Sequence, residues 1–241
     1  KSIPPSIFND LIGPIMRGPS SSHCAAALRI GRIARDLMKN DIEKVLIEFD
    51  TNGSLATTHK SQGSDMGLFG GLLGMNAADE RLINSDTAIA EAGIKIEIKI
   101  HSIGAIHPNT YKLTLTNKNN QHQIIAVSTG GGMIEVIELD GLPISFGGNY
   151  FETIIYLRKD VEKIQDEILN KLSIDEILLL KGNGFEILEI KSQSFLDESL
   201  KTKNPITIGI EKAIGDDVAK VRTNNTDEIN AAFHSTRNNS N

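Results

Sequence analysis

The chain has 241 residues, of which 39% are hydrophobic and 23% charged, and a formal net charge of −6. These values are typical of a soluble globular protein and exclude collagen, coiled-coil and disordered-tail classes. The acidic balance lacks the basic excess that nucleic-acid binding needs. The longest apolar stretch, 66–75, is too short to cross a membrane, and no signal-peptide pattern opens the chain. We therefore expect a cytoplasmic protein without nucleic-acid or membrane partners.

The first predicted helix runs from Ser20 to Lys39, because Ala26, Ile30 and Ile33 recur at helical spacing. Asn52-Gly53 then indicates a turn after a short strand. In chain order, the predicted elements up to residue 93 are a strand at 45–50, a second strand at 54–58, an apolar helix at 66–73 capped by Ser64 or Asp65, and a helix at 86–91 that ends at Gly93.

From Ile94 the pattern changes to alternation, since isoleucines at every second position from 94 to 100 are separated by charged residues or His. This predicts a half-buried strand. The following predicted elements are strands at 111–116 and 123–127 joined as a hairpin, a strand at 133–139, and a turn at Asp140-Gly141. The first unit is thus predicted to be α+β, with helices on one face of a mixed or antiparallel sheet.

A boundary is predicted at 146–149, and a β-α-β-β order follows it, typical of the start of a ferredoxin-like or ACT-type module. Its elements are a strand at 151–157, a helix at 161–172, and strands at 177–180 and 185–190. We therefore divide the chain into a first domain at 1–148, a partial ACT-like module at 149–196, and a third segment at 197–241. The third segment carries a weak helix candidate, 207–221, and a tail rich in Asn, Ser and Thr.

The densest chemical signal is the run Gly18-Pro19-Ser20-Ser21-Ser22-His23 at the start of the first predicted helix. A helix N-terminus exposes unpaired backbone N–H groups, and three hydroxyls beside them would complete a site for a carboxylate or phosphate. We expect His23 to be neutral beside that helix end, as suits a general base. The alternative is a plain serine cap with an incidental histidine.

The one cysteine of the chain, Cys24, follows His23. A single cysteine excludes an internal disulfide and a metal site built from several cysteines, so we predict no metal ligands in this chain. A helix N-terminus would favour its thiolate. The preferred interpretation is nevertheless a small residue packed beside Ala25 and Ala26.

Three further polar segments are weaker candidates, and each also fits an ordinary loop. They are Lys60 to Asp65 before the second predicted helix, His107-Pro108-Asn109-Thr110, and Ser128-Thr129-Gly130-Gly131-Gly132. The glycine run is neither a Walker A loop nor a dinucleotide fingerprint, but it allows close backbone approach. The remaining histidines, interpreted as surface residues, are His59, His101, His122 and His234.

Taken together in order, these motifs closely resemble the β segment of iron–sulfur-dependent L-serine dehydratases over about residues 6–148. The matching segments are 6–10, 12–14, 18–23, 29–31, 63–65, 71–74, 107–110, 130–132 and 138–141. The chain departs from the family at Gln62, where many relatives have His. In that family, the β segment is similar to the substrate-sensing domain of some phosphoglycerate dehydrogenases, and an ACT-type domain often follows it.

The resemblance implies conversion of L-serine to pyruvate and ammonia together with an α chain or segment. That partner carries a [4Fe–4S] cluster, and this chain alone binds none. It also implies His23 as the catalytic base, and we expect a homo-oligomer with a small amino-acid substrate. The predicted substrate-binding residues are Ser20, Ser21, Ser22, Lys60, Asp65, His107, Asn109, Gly130 and Gly131. The alternative is a non-catalytic domain that senses serine or another small anion.

Overall fold

The computed structural model describes residues 19–158, 160–194, 196 and 207–210. Some predictions lie outside this part of the chain: Gly18 and the earlier motif residues, His234, most of the helix candidate at 207–221, and the tail. None of the helices within the described ranges is long and apolar enough to cross a membrane.

The helices follow the predicted order closely. They are α1 (Ser21–Leu37), α2 (Leu55–Thr58), α3 (Ser64–Leu72), a 3-10 helix (Glu80–Asn84), α4 (Ser85–Glu91) and α5 (Val161–Lys171). The apolar face of α1 is buried at Ala26, Ile30 and Ile33, as the sequence spacing predicts. Gly93 ends α4 with a φ of 77°, which confirms its predicted role.

Six strands form a mixed sheet in the order β2-β1-β3-β4-β5-β6. They are β1 (Lys44–Asp50), β2 (Lys95–His101), β3 (Thr110–Thr116), β4 (Gln121–Gly130), β5 (Met133–Leu139) and β6 (Leu142–Phe146). Only β1 and β2 pair in parallel, with Ile47 opposite Ile98; the other neighbours are antiparallel. One face is buried against α1 and α3, so the α+β prediction is confirmed.

A second sheet is entirely antiparallel, in the order β10-β7-β9-β8. Its strands are β7 (Phe151–Leu157), β8 (Glu176–Lys181), β9 (Glu186–Ser192) and β10 (Thr207–Ile210). Ile155 and Leu188 share a core with Ile168 of α5, whereas Ile154 and Ile187 join the core of the first sheet. The two sheets are therefore packed together through the second sheet's inner face.

Three sequence-based expectations are corrected. Residues 54–58 form the helical turn α2 instead of a strand, since the Leu55 carbonyl accepts from the His59 N–H and Thr58 Oγ1 donates to the Ser54 carbonyl. Thr207–Ile210 is a strand instead of the start of a helix, because it pairs with β7. β2 is more exposed than a half-buried strand, with Ile100 46% exposed, because it lies at the sheet edge.

Helices α1 and α3 approach closely because glycines face each other where they meet. A Cβ on Gly31 would lie 2.9 Å from the Gly71 Cα, and a Cβ on Gly71 would lie 2.9 Å from the Arg32 nitrogen. Both clashes are with backbone, which cannot rotate away. The close approach fixes the position of the two helix N-termini that bear the candidate site.

We expect Gly71→Ala to destabilise the fold by about 1–3 kcal/mol, the usual cost of overpacking a core. Gly70→Ala in the same helix is the matched control, because its Cβ would clash with the end of the Leu82 side chain, which can adjust, and not with backbone. Chemical denaturation of the two variants measures the difference. Equal stabilities would show that the α1–α3 contact does not need glycine at position 71.

Two glutamates are buried on the inner face of the second sheet, a feature that the sequence does not signal. Glu152 and Glu189 are each 1% exposed, and their carboxyl oxygens make no hydrogen bond with the described residues. Burial raises the pKa of Glu152 to about 9 and that of Glu189 to about 7. Lys191, 3.7 Å from Glu189 Oε1, opposes both shifts. The Glu152 carboxyl is consequently neutral near pH 7.

Candidate active site

The N-terminus of α1 presents the serine-rich motif. Ser20 occupies the N-cap position in an extended conformation, yet its side chain does not cap the helix. Its Oγ lies 2.7 Å from His23 Nδ1. The plain-capping alternative is therefore wrong for Ser20, because its hydroxyl orients the imidazole of His23. Ser21 and Ser22 are half-buried beside it.

The loop between α2 and α3 lies against this helix end. The Ser20 N–H donates to the Gln62 carbonyl at 3.2 Å. A Cβ on Gly63 would lie 3.0 Å from Pro19 Cδ and 3.8 Å from Cys24 Cβ, and Gly63 has a φ of 80°. The loop can thus approach the serine motif closely only with glycine at position 63.

The same loop holds a second imidazole, which the sequence reasoning missed. His59 Nδ1 lies 2.8 Å from Asp65 Oδ1 and 2.9 Å from Oδ2. The His59 side chain is only 17% exposed. Its ring lies 5.1 Å from that of Phe49, which in turn meets Tyr111 edge-on. Since Asp65 engages Nδ1, Nε2 is the nitrogen left for chemistry, an arrangement typical of a carboxylate-oriented general base.

Buried polar atoms gather between these elements. Tyr111 and Ser64 are both fully buried, with their hydroxyls within hydrogen-bonding reach of each other, and Gln62 Oε1 has no hydrogen-bond partner among the described residues. Burial raises the pKa of Tyr111 above its usual range; the hydrogen bond with Ser64 opposes this shift, and the charge of nearby Asp65 adds to it.

Cys24 is a buried core residue, as the preferred sequence interpretation holds. It is 2% exposed, and burial raises the pKa of its thiol to about 11. Desolvation therefore outweighs any help from the helix N-terminus, and the thiol stays protonated at neutral pH.

The segment from His107 to Thr110 is folded on itself and joined to the start of α2. The Asn109 N–H donates to His107 Nδ1 at 3.1 Å, and Thr110 Oγ1 donates to the His107 carbonyl at 2.7 Å. The Ser54 hydroxyl donates to Asn109 Oδ1. Asn109 directly precedes β3, whose Tyr111 reaches the buried cluster. The role of His107 and Asn109 in binding substrate stays a prediction.

Two other predicted groups are exposed at the surface, the glycine turn and Lys60. Gly130 and Gly131 form the exposed turn between β4 and β5, and their φ values of 107° and 59° favour glycine. The buried Arg29 side chain joins this turn to α1 by donating to the Gly132 carbonyl. Arg29 lies six residues after His23, or about 9 Å along the helix axis. Lys60 is exposed at the loop surface.

The interpretation of the remaining histidines as surface residues is confirmed for His101, whose side chain is 48% exposed, but is wrong for His59 and His122, whose side chains are 17% and 13% exposed. His59, His101 and His122 are each paired with a carboxylate, Asp65, Glu48 and Asp140 respectively. Spacing along the chain gives no signal for these pairs, because the partner of His101 is 53 residues away. No group of three or more His, Cys, Asp or Glu that could hold a metal occurs among the described residues.

The chain is similar to known proteins over the part of the fold that contains α1 and the segment from His59 to Asp65. The family described as "Serine dehydratase beta chain" matches residues 6–102. The chain is 44% identical over 146 residues to the "Probable L-serine dehydratase, beta chain" of Bacillus subtilis (strain 168), covering 60% of this chain and 64% of the relative. It is 36% identical over 143 residues to the "L-serine dehydratase, beta chain" of Peptoniphilus asaccharolyticus, covering 58% and 64%.

The chain thus spans 64% of the length of each of these curated relatives. The family match includes α1, the loop from His59 to Asp65, and both ends of the hydrogen bond that joins them. As the sequence motifs predict, residues 6–102 match the serine dehydratase beta chain family, and the chain is similar to beta chains of two L-serine dehydratases.

Proposed function

We propose that this chain is the β segment of an L-serine dehydratase, which converts L-serine to pyruvate and ammonia together with an α chain or segment. The observation that carries this proposal is the joining of the α1 N-terminus to the His59–Asp65 loop by the Ser20–Gln62 hydrogen bond. This bond joins the helix end that bears His23 to the loop that bears His59, and each imidazole is oriented by a partner of its own, Ser20 and Asp65 respectively. The names of the similar proteins supply the reaction class.

The substrate carboxylate would bind at the start of α1. The first-turn N–H groups carry partial positive charge, and the side chain of Ser20 leaves them uncapped. The hydroxyls of Ser21 and Ser22 would donate to the carboxylate beside them. This placement would present the Cα–H bond of serine to the neighbouring imidazole.

His23 would then take the α-proton. The α-proton of an amino acid is weakly acidic, so a positioned base and a stabilised carboxylate are both needed. Ser20 fixes the ring through Nδ1, which leaves Nε2 to accept the proton. Loss of the α-proton and of the β-hydroxyl as water gives an enamine, and its hydrolysis releases ammonia and pyruvate.

His59 would be the second proton-transfer group, with Asp65 orienting its ring through Nδ1. The family commonly has His at the position of Gln62. In this chain the loop instead carries its imidazole three residues earlier, while the buried Gln62 Oε1 atom has no hydrogen-bond partner in the part of the chain that the structure describes. The loop therefore keeps an imidazole at the site despite the substitution.

The residues of this chain do not fit a [4Fe–4S] cluster. Such a cluster is held by several cysteine thiolates, whereas the chain has one cysteine, whose thiol is buried with a raised pKa. We propose that the cluster belongs to the α partner. No step of the chemistry assigned to this chain depends on it.

We propose that the unit beyond residue 149 is an ACT-like module. Its four strands, numbered along the chain, lie in the order 4-1-3-2, and a helix follows the first. The β-α-β-β order followed by a further edge strand supports a ferredoxin-like arrangement.

The carboxylate-binding role is tested on the serines. In the assembled enzyme, Ser21→Ala and Ser22→Ala should each raise KM more than they lower kcat, because a contact made equally in ground and transition states affects binding alone. Steady-state kinetics and thermal melts are measured on the same proteins. A stability loss of about 0.5–2 kcal/mol with unchanged KM is the signature of capping alone, and would defeat this role.

A further inference from the structure

A cavity of about 700 Å³ lies at the junction of the two sheets. The start of β4 and the β5–β6 turn form one side, and the end of β7 and the β8–β9 turn form the other. Its described lining includes no residue of the His23–His59 cluster. The volume falls within the range of small-molecule sites, about 300–1,000 Å³.

A network of three side chains forms one wall of this cavity. Asp140 Oδ2 accepts hydrogen bonds from His122 Nδ1 at 2.7 Å and from the Tyr156 hydroxyl at 2.6 Å. Asp140 Oδ1 accepts from the Gln123 N–H at 2.7 Å. Both carboxylate oxygens are therefore engaged, so Asp140 orients its neighbours and does not itself face a ligand.

The protonation state of this network follows from its contacts. Burial alone would raise the pKa of Asp140, but hydrogen bonds from His122, Tyr156 and Gln123 outweigh burial and lower it. The ionised carboxylate holds the Nδ1 proton of His122. Nε2 consequently remains as the ring nitrogen for a ligand.

An arginine and an aromatic surface complete the lining. Arg158 lies just after the end of β7 and is exposed, so its guanidinium is open to a ligand in the cavity. Phe185 packs beside Tyr156, with ring centroids 6.0 Å apart. A planar guanidinium and an imidazole suit a carboxylate, and the rings suit a small apolar body attached to it.

We propose that this cavity binds a small monocarboxylate, held by Arg158 and His122 Nε2, with its apolar part on the rings of Phe185 and Tyr156. The site is distinct from the serine site at α1. Because both sheets contribute to the lining, an occupied cavity would couple the first domain to the second sheet.

The test uses benzoate as the probe and isothermal titration on the full chain. Arg158→Gln and His122→Gln should each raise the Kd of benzoate about tenfold, since each removes a charge-assisted hydrogen bond. Arg81→Gln is the matched control, because Arg81 is an exposed arginine paired with Asp79 outside the cavity. Ser22→Ala should also leave benzoate binding unchanged, which separates this site from the one at α1.

Several outcomes would overturn the proposal. One is the absence of benzoate binding at millimolar concentration to the folded chain, with folding checked by circular dichroism. Another is a Kd that is the same in wild type, Arg158→Gln and His122→Gln. A third is inorganic phosphate that displaces benzoate and binds more tightly, which would assign the cavity to an oxyanion. None of these results bears on L-serine turnover.

Discussion

His23→Ala should lower kcat for L-serine by about 10²–10⁴-fold in the assembled enzyme, the usual contribution of a general base. Substrate should still bind, because the helix N–H groups and serine hydroxyls remain. Ser20→Ala is the companion variant. It removes the 2.7 Å contact to His23 Nδ1 but keeps the imidazole, so kcat should fall less than in His23→Ala.

The measurement is steady-state pyruvate formation, with KM and kcat determined separately and thermal melts run in parallel. KM, kcat and thermal stability are measured separately because a misfolded variant would lose substrate binding and stability together, whereas loss of the base lowers kcat alone. Near-normal turnover by a folded His23→Ala protein would remove His23 from the chemistry.

The second large effect is expected at His59, and two substitutions separate its possible roles. His59→Asn retains a donor where Nδ1 stands and can still bond to Asp65, but it lacks Nε2. We expect it to be as stable as wild type and to lose about 10²-fold in kcat, the lower end of the general-base range.

Asp65→Asn complements this variant. It keeps the imidazole but replaces the carboxylate that orients the ring. We therefore expect a loss of kcat that lies between wild type and His59→Asn. If His59→Asn kept its activity and Asp65→Asn lost only stability, the pair would be a structural link between α2 and α3.

The sequence predicts the elements best where local signals and packing agree. The apolar spacing of α1 and the turn at Asp140-Gly141 are both found in the structure, with positive φ values of 49° and 80° in the turn. By contrast, β2 has the alternation of a half-buried strand, but its place at the sheet edge leaves Ile100 exposed. Sheet order is a non-local property, which periodicity along the chain does not report.

The candidate site was predictable only in part for the same reason. The serine motif with His23 is contiguous and therefore visible in the sequence. The His59–Asp65 pair joins the end of α2 to the first turn of α3 across an irregular loop, and the buried hydroxyl of Tyr111 comes from a strand whose sequence is typical of ordinary core. Their meeting depends on tertiary packing, including the close approach of α1 and α3 at Gly31 and Gly71.

The central claim is the division of labour between this chain and an α partner, and one reconstitution tests it most directly. The chain is mixed under anaerobic conditions with the α chain of a serine dehydratase loaded with its cluster, and pyruvate formation from L-serine is followed. We predict turnover by the mixture and none by either component alone, with iron found only in the α component. A mixture that forms a complex yet makes no pyruvate, or iron bound to this chain alone, would contradict the account.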